Sequence, residues 1–90
     1  MEERDQSATT EAQDATIESI VLRQLLALHP TQVTVGELIR ELAGPEADFA
    51  ARDAIVRATR DLAGVGLLHL NGELLTPTRA ALRFAQLLDV

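Results

Sequence analysis

The sequence predicts one small, mainly helical domain with a single β-hairpin, and three observations carry that prediction. A capping box opens a short helix at Thr34, an Asn71-Gly72 pair separates two short leucine-rich runs, and three other stretches place apolar residues at steps of three and four. The expected order is helix, helix, helix, hairpin and a C-terminal helix over residues 16–90, behind a disordered acidic tail over residues 1–15.

A chain of 90 residues is one small domain, and most of its apolar side chains must share one core. Apolar residues make up 47% of it, but Phe49 and Phe84 are the only aromatics, so there is no platform for stacking exposed bases. Cysteine is absent, which excludes disulfides, thiolate metal sites and a thiol nucleophile. No apolar run approaches the roughly 20 residues that span a bilayer, and the first residues are acidic where a secretory signal is basic. A soluble cytoplasmic protein with no membrane contact is therefore expected. The net charge of −6 comes from 14 acids and eight arginines, a sign that opposes strong nonspecific DNA binding. Its distribution is uneven: residues 1–14 hold five acids against Arg4, leaving nine acids against seven arginines in the rest.

The first helix is expected over about residues 17–28, where Ile17, Ile20, Val21, Leu25 and Leu28 form a stripe that His29-Pro30 ends. The second is expected over residues 35–43. Thr34 and Glu37 occupy the reciprocal capping-box positions, Val33 and Leu38 the hydrophobic staple, and Gly44-Pro45 stops the helix. Gln32 or Val33 can add a one- or two-residue strand. Asp48 caps a third helix over residues 49–63, with Ala51, Ile55, Ala58 and Leu62 inward and Asp53, Arg57 and Arg60 outward. The hairpin is expected over residues 67–75, with Asn71 and Gly72 as the two turn residues of a type I′ turn. Thr76 is the expected cap of the last helix and Pro77 its first residue, over residues 77–88, with Ala81, Phe84, Ala85 and Leu88 inward and Leu82 and Leu87 to the side.

The order of elements, and above all the run Asp61-Leu62-Ala63-Gly64-Val65-Gly66-Leu67-Leu68 leading into Asn71-Gly72, resembles the winged helix-turn-helix domains of bacterial transcription regulators. The likeness covers about residues 17–75. It implies that the third helix enters the DNA major groove, with Arg57 and Arg60 foremost, then Arg52, and with Ala50 and Asp53 also facing the duplex. It also implies a wing that contributes little, because Asn71, Gly72 and Glu73 replace the basic tip common in that family. The C-terminal helix is similar to helices through which some such regulators form homodimers.

Two functions follow as expectations. One is a DNA-binding transcription regulator that reads double-stranded DNA with residues 49–63. The other is a winged-helix module for protein interaction or dimerisation without DNA binding, with Leu70, Leu74, Leu82 or Leu87 in the partner surface. An enzyme is not expected. His29 and His69 lie in different elements, no three metal ligands are grouped, and Asp53 and Asp61 sit about 12 Å apart along a helix, too far for a carboxylate pair. No cofactor or metal is expected.

Overall fold

The structure, a computed structural model, describes residues 2–89, with side chains described from Thr10 onward. Its elements are α1 (Glu2–Leu28), β1 (Val33–Thr34), α2 (Val35–Ala43), α3 (Phe49–Gly64), β2 (Leu68–Asn71), β3 (Leu74–Pro77) and α4 (Arg79–Leu88). The result is a mainly helical domain with a small antiparallel sheet in the order β1-β3-β2.

α1 departs most from expectation, because it begins long before Ile17 and takes in residues assigned to a disordered tail. Residues 2–15 contain no glycine or proline and are rich in Glu, Gln and Ala, which are good helix formers. Once the stretch around Val21 is nucleated by packing, each further residue adds a hydrogen bond without a new nucleation cost. A continuous apolar face is therefore not needed for the helix to extend. Met1 lies outside the described residues.

α2 starts as its sequence dictates. The Thr34 hydroxyl accepts from the Glu37 N–H at 3.1 Å, and the Glu37 carboxylate accepts from the Thr34 N–H at 2.9 Å. These hydrogen bonds favour the charged carboxylate and hold its pKa below the ordinary glutamate value, with a smaller contribution from Arg40. The staple residues Val33 and Leu38 are both buried. α3 is capped by Asp48, whose carboxylate accepts from the Ala51 N–H at 2.8 Å, and it buries Ile55, Ala58, Thr59 and Leu62. The Thr59 hydroxyl is satisfied by donating to the Val56 carbonyl at 2.7 Å.

The hairpin forms one residue later than expected. Asn71 pairs with Leu74, so the two-residue loop is Gly72-Glu73. Gly72 has φ of 65°, and among the described residues no non-glycine residue has positive φ. Glycine at the first central position is the type II′ arrangement rather than type I′. Asn71 stays extended because its pairing with Leu74 continues the ladder that buries Leu68 and Leu75 on one face.

The same shift moves the start of α4. Thr76 and Pro77 are strand residues opposite His69 and Leu68, and Thr78 is the cap. Proline is tolerated at a strand's end, where its missing N–H breaks little of the ladder. Thr78 suits the cap because its groups are used three ways. Its hydroxyl accepts from the Ala81 N–H at 3.2 Å and donates to the Gly66 carbonyl at 2.7 Å, while its own N–H donates to the Leu67 carbonyl at 3.0 Å. α4 then buries Ala81, but Phe84 and Leu88, expected inward, are 61% and 69% exposed. The helix meets the body mainly through its first turn, so its C-terminal half stands clear of the core.

The core gathers Val21 and Leu25 from α1, Leu38 and Ile39 from α2, Ile55, Ala58 and Leu62 from α3, and Val33, Leu68 and Leu75 from the sheet. Every buried side-chain polar atom among the described residues has a hydrogen-bond partner.

Both caps can be tested through stability. Thr78→Ala removes the partner of both Gly66 and Ala81 at a buried joint and is expected to cost about 2 kcal/mol in chemical denaturation, with Thr78→Ser losing clearly less. The lowered Glu37 pKa means its contribution is fully present above the unfolded value near pH 4.3 and is lost as pH falls through the folded value. The difference in melting temperature between wild type and Glu37→Gln should therefore shrink on acidification below about pH 4.

Candidate nucleic-acid interface

The solvent face of α3 follows from what its other face buries. With Ile55, Ala58 and Leu62 held inward, Phe49, Ala50, Arg52, Arg57 and Arg60 are left exposed. Arg57 and Arg60, three residues apart, are neighbours on this face, whereas Arg52 lies about 12 Å from Arg60 along the axis and farther round the helix. Arg57 is on the side toward α1, within reach of Asp14.

Arg57 is accordingly occupied. Its Nε donates to the Asp53 carboxylate at 3.1 Å, and its guanidinium reaches the Asp14 carboxylate of α1 at 3.8 Å. The narrow crevice between α1 and α3 beside it is also lined by Glu18 and Asp61. A cation already paired with two carboxylates is a poor phosphate ligand, because an approaching phosphate meets their repulsion as well as its attraction. Asp53, expected to face the duplex, is bound to Arg57 in the same cluster.

Arg52 has the opposite surroundings. It lines an open cleft of about 130 Å³ between α2 and α3, together with Gly36, Ile39, Arg40, Gly44 and Pro45. Arg40 and Arg52, from two helices, thus line one recess whose lining includes no acidic residue. The sequence pattern does not single out Arg40. Its only sign there is a place on the outer side of α2, opposite the buried pair Leu38 and Ile39. The nearest acid on its helix toward the N-terminus, Glu37, is held at the Thr34 cap.

The hairpin supplies little charge. His69 and Glu73 are exposed, and the Glu73 carbonyl is tied to α2 by the Val35 N–H at 2.9 Å. The four leucines expected in a partner surface are not brought together. Leu70 pairs with buried Leu75, whereas Leu74 pairs with Asn71 and Thr34, so the two lie on opposite faces of the sheet. Leu82 is half-buried and Leu87 exposed, and their five-residue spacing separates them around α4.

Among the described residues no three His, Cys, Asp or Glu side chains are grouped to hold a metal ion, and no helix is long and apolar enough to cross a membrane. No protein-family model, curated protein or solved structure matches the chain.

The Arg57 cluster is solvent-exposed, with side chains 40–52% accessible. Asp14→Ala should therefore lower stability by no more than a few tenths of a kcal/mol, an effect that salt near 1 M abolishes in thermal melts.

Proposed function

We propose that the chain is a non-catalytic winged helix-turn-helix domain that binds double-stranded DNA, as regulators of transcription do. α3 enters the major groove, and the hairpin is the wing. The reading rests on the order of elements, on a third helix whose outer face is open to solvent, and above all on one observation: Arg40 and Arg52 share a recess that no acid lines. Two forked cations on the flanks of adjacent helices suit a phosphate of the backbone, which fixes register, while Arg60 and Ala50 lie on the exposed face of α3 that would meet base edges, with Arg57 between them but paired to Asp53.

This reading ranks Arg52 and Arg60 above Arg57, whose charge is already opposed by Asp53 and Asp14. It also assigns the wing a minor part in affinity, since Glu73 would lie near the negative duplex. The overall charge of −6 makes binding weak, and its salt dependence reports the phosphates neutralised.

Fluorescence anisotropy with mixed-sequence duplexes at about 50 mM salt tests the assignment. Arg40→Ala with Arg52→Ala should weaken binding about tenfold or more and reduce the slope of log K against log salt by about one, for the one phosphate no longer neutralised. Arg57→Ala should change affinity less than about twofold. Absent or salt-independent binding of the wild type rejects the DNA reading, and an effect of Arg57→Ala as large as that of the double variant rejects the assignment of residues.

A further inference from the structure

The outward residues of α3 are mostly polar or small, and Phe49 is the exception. It is the first residue of the helix and one of two aromatics in the chain, and at 82% it is the most exposed large apolar side chain among the described residues. Its backbone is held on both sides by the cap: the Asp48 carboxylate accepts from the Ala51 N–H at 2.8 Å, and the Asp48 carbonyl accepts from the Arg52 N–H at 3.1 Å. The ring therefore projects from a fixed helix end. Phe49, Val56 and Arg60 follow at steps of seven and four residues, which sets them on one side of α3, away from buried Ile55, Ala58 and Leu62. Ala50, next to the ring in sequence, is exposed as well.

The charges nearby limit what this end of the helix can meet. Glu46 and Asp48 precede Phe49, and Asp53 follows one turn later. Asp48 is spent on the cap, and Asp53 accepts from the Arg57 Nε at 3.1 Å. The one cation within a turn, Arg52, lines the recess with Arg40. A phosphate beside Phe49 would thus meet more acid than base. What the helix end offers instead is a bare ring and the methyl group of Ala50. On the base edges of the major groove the one apolar group is the C5 methyl of thymine, and Phe and Ala are side chains that contact it.

We propose that Phe49 is a specificity-determining residue that packs its ring on a thymine methyl group in the major groove, with Ala50 at its side. This rests on the reading of the chain as a DNA-binding domain and adds the base that the domain selects. The contact is uncharged, so the acids at the start of α3 do not oppose it as they oppose a phosphate. Each methyl group taken out of water in this way is worth about fourfold in affinity. Arg40 and Arg52 fix the position of α3 without reading sequence, whereas Phe49 reads it.

Duplexes enriched by the wild type from a random pool at about 50 mM salt are remade with deoxyuridine in place of thymidine, which removes only the C5 methyl groups. Both forms are then titrated by fluorescence anisotropy. The wild type should bind the uracil form about fourfold more weakly, or worse where several methyl groups are touched. Phe49→Ala, with unchanged circular dichroism, should bind the two forms equally, and Phe49→Leu should keep part of the preference. Arg40→Ala with Arg52→Ala should weaken both forms by the same factor and leave their ratio unchanged. Equal binding of the two forms by the wild type overturns the thymine contact while the DNA reading stands; a ring wedged between base pairs gives that result, because uracil stacks as thymine does. A preference that survives Phe49→Ala overturns the assignment to this residue. No binding of either form rejects the DNA reading, and the thymine contact with it.

Discussion

The core has to be made without aromatic side chains, and the rest of the molecule depends on how that is done. Val21, Leu25, Leu38 and Leu75 are 0–1% exposed and come from α1, α2 and β3. Each contributes about 1.5–3 kcal/mol by leaving water, and none is bulky enough to fill the centre alone. α1 packs on both α3 and β3 and so joins the helices to the sheet, while α2 meets α3 and β1. Close packing at Ala58 then lets α3 settle against α1, and its outward face is a consequence of that contact.

Features set within a few residues are legible in the sequence. The Thr34 and Glu37 cap, the Asp48 cap, the apolar face of α3 and the existence of a hairpin all depend on local hydrogen bonds or on one period of apolar residues. What is not legible depends on distant partners. Asn71-Gly72 is a good turn by itself, but pairing opposite Leu74 keeps Asn71 in the strand. Thr76-Pro77 is a good helix start by itself, yet the carbonyl of Gly66, 12 residues away, selects Thr78. The length of α1 is hidden because its polar first half has helix-forming residues without an apolar stripe.

The same division governs the candidate site. Spacing alone places Arg57 outward with Asp53 or Asp61 in reach, but Asp14 comes from a stretch of α1 whose pattern reads as unstructured. Arg40 carries no signal in the sequence because its counterpart, Arg52, lies on another helix. The arginines of an acidic chain thus differ by neighbourhood: Arg57 is paired with two carboxylates, whereas Arg40 and Arg52 share a recess. Net charge describes none of these environments. It sets the average field, whereas the local sign depends on which helices pack side by side.

Thr78 gives the molecule a mechanical linkage. Its side chain is bonded at once to the first turn of α4 and to the glycine that leaves α3, and its backbone to the next residue, Leu67. Tilting α4 about its first turn must stretch both the 2.7 Å hydroxyl bond to Gly66 and the 3.0 Å backbone bond to Leu67, so a displacement of α4 is passed directly to the segment that follows α3.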